Sequence, residues 1–479
     1  MNNDSNISGI TQTIADYHQA QRWLLSLITD PTGARYHKEK SKAQRQQEFE
    51  EQLQRTDNFL NYVDNPHTKY ASIHVAGTSG KGSVVVMLAA ILRAANINMG
   101  YHISPYLQVC NEKLIVGDKM ISPSEFTQLV NDFKEQYTQW VRSNKTYPAL
   151  KYGEAWVALT YYWLARREVD WAVIETGLGG RYDPTNVLPA DVAVITNVDF
   201  DHVYSLGPEL DQIAHHKAGI IKPEAIVITG EKNPQILKII QQEVVAKYAK
   251  LFRLDQEFNF SVEKTLEGNH KISVNTQHNT YENITLPMKG QFQPTNAALA
   301  IATIDQLAVQ GRLAASEKNI QQAFENLSFP GRMEMINSEP TVILDGAHNP
   351  HKIQGLADSL KHLYPGKKFN FVFGVLSTKN ATGMLEILSP LSSSWKITQP
   401  HVFGKPAWPA IEIARILENI DAQSQIKIFE QVGQAIMVAM NEVDVETIIV
   451  VTGSLYLVGE ARNVWFPTNK ILRSLEENN

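Results

Sequence analysis

The sequence predicts an α/β protein whose main sheet is mostly parallel, and three observations lead to this prediction. Short apolar runs rich in β-branched residues recur along the chain and are bounded by turn residues, at positions 72–76, 171–174, 192–196 and 225–229. Between them lie helical stretches with clear start signals, such as the sequence SPSE at 122–125, a capping box with proline at the first helical position. Regular alternation of buried strands with helices is typical of a parallel sheet.

The composition is that of a multidomain globular protein. The chain has 479 residues, of which 43% are hydrophobic and 20% charged, and at about 150 residues per domain this length predicts two to four domains. The net charge is −6, whereas a protein that binds nucleic acid usually has a basic surface. The longest apolar run, 84–92, is far shorter than the roughly 20 residues of a membrane span, and no signal peptide precedes it. With one cysteine, Cys110, a reducing compartment is indicated. We expect a cytoplasmic protein with no nucleic-acid or membrane partner.

The strand and helix pattern divides the chain into two parts. Residues 250–288 are polar with short alternating stretches, which predicts an antiparallel hairpin or meander. A new alternation begins with the strand at 342–344, after the predicted hinge at 329–331. We therefore expect a large N-terminal domain at 1–328 and a smaller, Rossmann-like α/β domain at 329–479. The segment 35–56, rich in Lys, Gln, Arg and Glu, predicts a solvated helical face.

A glycine-rich loop follows the first predicted strand and predicts a phosphate-binding site. The sequence GTSGKGS occupies 77–83 and leads into an apolar helix. Glycines let backbone N–H groups turn toward phosphates, and the helix N-terminus attracts anions. Lys81 would place its charge on the β- and γ-phosphates, and Ser83 could reach a phosphate or its Mg²⁺. Val75 stands where the usual spacing has a first glycine, so the loop is a compact variant; a tight turn with a surface lysine is the alternative. The large domain is thus predicted to be of the P-loop type.

Polar residues that suit Mg²⁺ follow three further predicted strands. They are Ser104, Glu175 and His202, and the carboxyl ends of parallel strands are where ligands gather in open sheets. Each alone is weak: Glu175 could be a solvated loop acid, and an imidazole such as that of His202 is an unusual Mg²⁺ ligand. Lys217 lies near a helix end, where its spacing alone indicates a cation that complements the helix dipole.

Taken together, these segments resemble the folylpolyglutamate synthase and dihydrofolate synthase family, within the Mur-type ATP-dependent amide ligases. The resemblance extends from about residue 60 to 465 and rests on several motifs in the same order. These motifs lie at 65–83, 104–107, 111–114, 175–186, 201–207, 217–220, 330–334, 345–350 and 453–457.

The resemblance implies a role for each candidate site residue. ATP would be bound by Thr78, Ser79, Gly80, Lys81, Gly82, Ser83, Asn296, Arg332 and Asp345. Mg²⁺ would be bound by Ser104, Glu175 and His202, and the pterin-bearing substrate would lie beside Tyr182 and Asp183. Lys217 would be carbamylated, and His348 would close on the phosphates from the second domain. Lys81, Lys217 and His348 are the expected catalytic residues.

The implied activity is the ATP-dependent addition of L-glutamate to a folate, through an acyl-phosphate, with dihydropteroate as a further candidate acceptor. A monomer is implied. Three departures fall on the substrate side: the sequence LQRT at 53–56 replaces a Gly-Leu-Glu-Arg stretch, Gly153 stands where an aromatic residue is common, and the region 30–50 is longer than usual. Alternatives are a ligase of the same superfamily acting on a non-folate acid, a P-loop switch ATPase, and a nucleotide-sensing binding module.

Overall fold

Two large sheets, one in each part of the chain, and a small antiparallel sheet organise the fold. The computed structural model describes residues 2–33, 41–264, 270–325, 327–442 and 447–478. The strands are β1 (Ala71–Ala76), β2 (Met99–His102), β3 (Ile115–Val116), β4 (Lys119–Met120), β5 (Trp171–Glu175), β6 (Val192–Ile195), β7 (Ile226–Thr229), β8 (Lys250–Arg253), β9 (Asn259–Lys264), β10 (His270–Asn275), β11 (Thr280–Leu286), β12 (Glu334–Ser338), β13 (Thr341–Leu344), β14 (Phe369–Phe373), β15 (Ser392–Ile397), β16 (Ile426–Ile428) and β17 (Ile448–Thr452).

The helices cover the faces of these sheets and connect their strands. They are α1 (Asn2–Leu25), α2 (Lys42–Tyr62), α3 (Lys81–Ala94), α4 (Pro123–Ser143), α5 (Tyr152–Arg166), α6 (Val203–Leu206), α7 (Leu210–Ala218), α8 (Pro234–Ala246), α9 (Gln293–Val309), α10 (Glu317–Glu325), α11 (Pro350–Leu363), α12 (Ala381–Leu388), α13 (Ala410–Ile420), α14 (Val432–Glu442), α15 (Leu455–Arg462) and α16 (Thr468–Glu477). Among the described residues, none of these helices is long and apolar enough to cross a membrane.

The first sheet has eight strands in the order β4-β3-β2-β5-β1-β6-β7-β8. From β2 to β8 in this order the strands are parallel, and β3 and β4 are antiparallel additions at one edge. Strand β1 is central, and the chain leaves it toward β2 on one side but later places β6 on the other. Such a reversal opens a crevice at the carboxyl ends of the strands, where ligands bind in open α/β sheets. The predicted α/β class with a mainly parallel sheet is confirmed.

The polar segment after β7 is only partly the predicted meander. Strands β9, β10 and β11 form a three-stranded antiparallel sheet, as predicted. Strand β8, in contrast, pairs in parallel with β7 and extends the main sheet. Its Leu251 and Phe252 pack against two cores of the first domain, and this burial overrides the polar character of the surrounding sequence.

The second large sheet has six strands in the order β12-β13-β17-β14-β15-β16, and all its pairings are parallel except that of β12 with β13. Every residue of β14 is buried, and Phe371 stacks on Trp395 of β15 with ring centroids 4.9 Å apart. The predicted smaller α/β unit is therefore present. Its boundary at residue 328 stays a prediction, although the two large sheets lie on either side of it.

Helix α2 begins as a polar surface helix and ends inside the protein. Its start is the predicted solvated face, and Ser41 caps it with a capping box. The prediction is wrong at its end, because Arg55 and Thr56 are buried. Arg55 forms a two-pronged ion pair with Glu154 of α5, with N···O distances of 2.9 and 2.6 Å. The part of the prediction at 35–40 lies outside the described residues.

The C-terminal helix α16 follows the second sheet in the chain but packs on the first domain. Leu472 is fully buried in the core formed by helices of that domain. Glu476 accepts a hydrogen bond of 2.9 Å from the backbone N–H of Ser124, at the start of α4. The chain therefore returns to the first domain after completing the second.

Candidate functional site

The glycine-rich loop connects β1 to α3 and lies at the centre of the crevice. Gly80 adopts φ +82 immediately before α3, a conformation that favours glycine. A Cβ atom there would overlap Oδ1 of Asn296 on α9, and one at Gly77 would overlap Oγ1 of Thr196 after β6. The loop is thus pressed between two elements, and the first N–H groups of α3 lack acceptors within the helix. This is the geometry of an anion-binding helix N-terminus.

The rest of the loop is held by the segment after β6. Thr78 donates its hydroxyl to the carbonyl of Asp199 and accepts from the N–H of the same residue, both at 2.9 Å. Ser79 donates its N–H to Oδ1 of Asn197 at 2.9 Å. Ser83 is buried in the first turn of α3. The structure therefore brings the predicted loop residues and Asn296 together.

Two of the predicted strand-end residues meet the loop lysine. Nζ of Lys81 lies 3.8 Å from Oε1 of Glu175 and donates to the carbonyl of Gly77 at 3.2 Å. The other carboxylate oxygen of Glu175 accepts from the backbone N–H of Ser104 at 3.0 Å. Burial raises the pKa of Glu175, and the positive charge of Lys81 opposes this shift. Ser104, Glu175 and Lys81 are therefore neighbours, as the sequence predicts.

The segment after β6 also reaches the second domain. Asp201 pairs with Lys379 at 3.2 Å and lies 4.0 Å from Lys352, so both lysines of the second domain approach one carboxylate of the first. His202 lies beside Asp201, with 3.8 Å between Nε2 and the carboxylate, and its side chain is 44% exposed. The two domains thus share one charged cleft.

Lys217 lies in the last turn of α7, as its spacing predicts, but it is not a surface lysine. Its side chain is buried. Burial and the positive charges of Lys81 and Lys352 lower its pKa well below the usual value, with Asp201 acting in the opposite direction. Its position therefore favours the neutral amine and excludes the simple role of a solvated helix-dipole partner.

The second domain contributes Arg332, Asp345 and His348. The carboxylate of Asp345 accepts from the N–H groups of Met333 and Ala347, both at 2.9 Å, and so joins two loops of its own domain. The guanidinium of Arg332 lies over the ring of Phe329 at 5.6 Å. Burial raises the pKa values of Asp345 and Glu175, and the positive charge of Arg332 opposes both shifts. Arg332 therefore faces the cleft.

The predicted substrate residues form a second cluster beside α2. Tyr182 lies parallel to the ring of Phe49 with centroids 6.0 Å apart, and edge-on to His216 at 5.6 Å. Asp183 is buried and accepts from the N–H of Leu178 at 2.6 Å, which folds the glycine-rich segment after β5.

Gly180 and its neighbour are packed against the end of α7. A Cβ atom at Gly180 would lie 2.7 Å from the carbonyl of His216 and 3.2 Å from that of Lys217. The N–H of Arg181 donates to the carbonyl of His216 at 2.6 Å. The glycine-rich segment therefore connects the Tyr182 cluster to the buried lysine.

Sequence reasoning missed Lys352 and Lys379. Lys352 lies four residues after His348, which precedes the N-cap of α11, and the chain entering the helix brings the two side chains to 3.1 Å, so their closeness in sequence was a usable signal. Lys379 follows the carboxyl end of β14, where the argument applied to Glu175 would also have found it. Within the described ranges no three His, Cys, Asp or Glu side chains form a metal-binding group, and the predicted metal residues include a serine.

Comparison with known proteins agrees with this arrangement. The Mur ligase middle domain family matches residues 75–304, and the Mur ligase glutamate ligase domain family matches residues 331–455. The dihydrofolate synthase/folylpolyglutamate synthase of Mycobacterium tuberculosis is 32% identical over 443 residues, which are 86% of this chain and 90% of that protein.

Two solved structures are similar over most of the chain. Folylpolyglutamate synthase of M. tuberculosis complexed with ADP and AMPPCP aligns with a TM-score of 0.82 at 30% identity and covers 94% of this chain and 98% of its own. Escherichia coli FolC in complex with DHPP and ADP aligns with a TM-score of 0.76 at 29% identity, over 86% and 92%. The chain therefore belongs to the dihydrofolate synthase/folylpolyglutamate synthase family of Mur ligases.

Proposed function

We propose that this protein is an ATP-dependent ligase that joins L-glutamate to the carboxylate of a folate and releases ADP and phosphate. The observation that carries the proposal is the shared cleft. Asp201 of the first domain pairs with Lys379 and lies 4.0 Å from Lys352 of the second domain, and Lys352 interacts electrostatically with Lys81 and Glu175. Family membership supports the same conclusion, as do relatives solved with ADP and AMPPCP. Dihydropteroate is a second proposed acceptor, and we propose a cytoplasmic monomer.

The reaction needs activation because amide formation from a free carboxylate is uphill in water. A carboxylate oxygen of the acceptor attacks the γ-phosphorus of ATP, the bond to the β-phosphate oxygen breaks, and ADP leaves. The glutamate amine then attacks the acyl carbon and loses a proton, and phosphate departs with the electrons of the C–O bond. Lys81 and Arg332 neutralise the charge of the transferring phosphoryl group, which is catalysis by positioning and electrostatics. A closed cleft also keeps water from the acyl-phosphate.

The roles of the individual residues are proposed from the family to which the chain belongs and from their positions around the cleft. The proposed ATP-binding residues are Thr78, Ser79, Gly80, Lys81, Gly82, Ser83, Asn296, Arg332 and Asp345. Tyr182 and Asp183 are proposed to line the acceptor site, next to the end of α7. His348 is proposed to act from the second domain, at the start of α11.

Ser104, Glu175 and His202 are proposed to hold Mg²⁺, and the surroundings of Glu175 support this assignment. Glu175 is a buried carboxylate whose ion-pair distance to Lys81 is 3.8 Å, so its burial is only partly compensated and a hard cation would stabilise it. When bound, Mg²⁺ would supply positive charge to the phosphate oxygens. Glu175 itself links the loop after β2 to the phosphate loop, because it accepts from the N–H of Ser104 and lies beside Lys81.

Carbamylation of Lys217 fits its surroundings. Reaction with carbon dioxide requires the neutral amine, and burial together with Lys81 and Lys352 favours that form. The resulting carbamate would carry a negative charge among the lysines that now repel the ammonium. This would turn an unfavourable buried cation into the partner of its neighbours.

The test is mass analysis of the products formed from ATP, labelled glutamate and a panel of acceptors. The panel contains tetrahydrofolate, dihydropteroate and non-folate carboxylic acids, and ADP release is measured in parallel. We expect glutamate addition to a folate, with ADP release that requires both acceptor and glutamate, and loss of both in Lys81→Ala. ADP release without any acceptor would instead indicate a switch ATPase, and glutamylation of only non-folate acids would contradict the folate assignment.

A further inference from the structure

Lys352 occupies a special place at the start of α11. Its own N–H donates to Oδ1 of the N-cap residue Asn349 at 2.9 Å, so the backbone of this first turn is fixed. Its ammonium lies 3.1 Å from Nε2 of His348 and 4.0 Å from Oδ2 of Asp201 in the other domain. One side chain of the second domain is therefore anchored at its base and aimed across the cleft.

The contacts of His348 determine which of the two side chains offers a proton to the cleft. Nδ1 of His348 lies 2.8 Å from the carbonyl oxygen of Gly346, and because a carbonyl only accepts, Nδ1 must carry the hydrogen. Burial and the charges of Lys352 and Lys379 lower the pKa of His348, so the ring is neutral. Nε2 then has a free electron pair and accepts from Lys352. His348 orients the lysine, and its own outward nitrogen has no hydrogen to give to a phosphate.

Cations of both domains lie near Lys352 in the cleft. Burial and the positive charges of Lys81, Arg332 and Lys379 lower the pKa of Lys352 to about 7, while the carboxylate of Asp201 acts in the opposite direction. The positive charge of Lys352 in turn acts to lower the pKa values of Glu175 and Lys217 in the first domain. An anion placed between the loop lysine and Lys352 would relieve this repulsion.

We propose that Lys352 is the second domain's contact to the terminal phosphate of the bound nucleoside triphosphate, and that His348 positions this lysine instead of binding the phosphate itself. The inference rests on the proposed use of ATP and does not depend on the identity of the acceptor. The bound triphosphate would then contact Lys352 of the second domain and the phosphate loop of the first domain at the same time.

The test compares a triphosphate with a diphosphate in variants of the full chain. Dissociation constants for AMPPCP and ADP are measured by calorimetry for the wild type, Lys352→Gln, Lys352→Arg, Lys379→Gln and the exposed control Lys361→Gln on the same helix. We expect Lys352→Gln to lose tenfold or more in affinity for AMPPCP and less than threefold for ADP. Lys352→Arg should lose less, and Lys361→Gln should match the wild type.

Lys379→Gln separates phosphate binding from simple attachment of the domains. Lys379 lies closer to Asp201 than Lys352 does, at 3.2 Å, so if the ion pairs to Asp201 alone mattered, its loss should have the larger effect. Equal losses for AMPPCP and ADP in Lys352→Gln, or a selective loss found only in Lys379→Gln, would overturn the proposal. The double variant with His348→Asn should lose no more AMPPCP affinity than Lys352→Gln alone, because the histidine acts through the lysine.

A measurement on the wild-type protein covers the case in which Lys352→Gln does not fold. The rate of acetylation of Lys352 by an amine-reactive reagent is followed by peptide mass analysis with AMPPCP, with ADP and without nucleotide. We expect at least fivefold protection by AMPPCP relative to ADP, and equal rates would contradict the contact. Glutamate addition by the same preparation is assayed in parallel, so that a wrong acceptor assignment is recognised separately from a wrong assignment of Lys352.

Discussion

The buried ion pair between Arg55 and Glu154 allows a quantitative prediction about the first domain. Both side chains are 1–2% exposed, and the guanidinium contacts both carboxylate oxygens. Glu154→Gln keeps the shape and the acceptor for the N–H of Lys151 but leaves Arg55 buried without a counter-charge. Removing one partner of a buried pair costs about 3–5 kcal/mol. We expect a loss of this size in the free energy of unfolding of the first domain.

The assay is urea unfolding at neutral pH, followed by tryptophan fluorescence and circular dichroism. Trp140 is buried beside α2, where its indole N–H donates to Asn58 at 3.0 Å, so its emission reports on the same unit. The matched control is Asp132→Asn, which breaks the pair with Arg166 at 2.6 Å between side chains that are each 40% exposed. An exposed pair contributes about 0–1 kcal/mol.

A double variant tests the reasoning behind the number. Arg55→Met combined with Glu154→Leu replaces the pair with apolar side chains, and such replacements are often neutral. We therefore expect the double variant to be more stable than Glu154→Gln alone. The reasoning is refuted if Glu154→Gln costs no more than Asp132→Asn, or if the double variant is the less stable of the two.

Three further predictions concern the loop, the pH dependence of stability and the buried lysine. Gly80→Ala should raise the KM for ATP at least tenfold, because the new methyl group would overlap Asn296 and the backbone there is left-handed. The control Gly117→Ala, at φ +65 but with open space around the new methyl group, should leave the KM unchanged. Equal effects of the two substitutions would contradict the steric argument. Burial lowers the pKa of His74 to about 3, so the unfolded chain binds a proton that the folded one rejects, and stability should fall as the pH falls from 6.5 toward 3. His74→Gln should reduce this slope by up to about 1.4 kcal/mol per pH unit in urea titrations, and an unchanged slope would assign the acid sensitivity to other groups. Lys217→Ala should abolish glutamate addition in the product assay and regain part of it with a short carboxylic acid, whereas full activity without the acid would remove the carbamate assignment.

The residues predicted best from the sequence are those whose position depends on local order. Glu175 ends one buried strand and Ser104 follows another, so the common direction of parallel strands is enough to place them at one edge of the sheet. Lys81 follows a glycine loop at a helix start, where the local pattern again carries the information. Ser104, Glu175 and Lys81 are distant in the chain, but they come together because their strands belong to one parallel sheet.

Contacts that depend on which distant side chain arrives were not predicted. Arg55 lies in a stretch whose composition indicates solvent exposure, and only the presence of Glu154, 99 positions later, makes its burial possible. Lys352 and Lys379 belong to the second domain, and their approach to Asp201 depends on how the two domains are placed. The parallel pairing of β8 likewise depends on the cores available beneath Leu251 and Phe252.

The return of α16 to the first domain restricts how the cleft can open. The chain crosses between the domains once at the segment before β12 and again before α16, where Arg462 donates to Gln108 of the first domain at 2.6 Å and to Glu334 of the second at 3.0 Å. Two domains that are connected at two points can rotate freely relative to each other only about the line through those points. We therefore expect the cleft to open by rotation about the line through the two crossings, because sliding of one domain along the other would remove Leu472 from the core of the first domain.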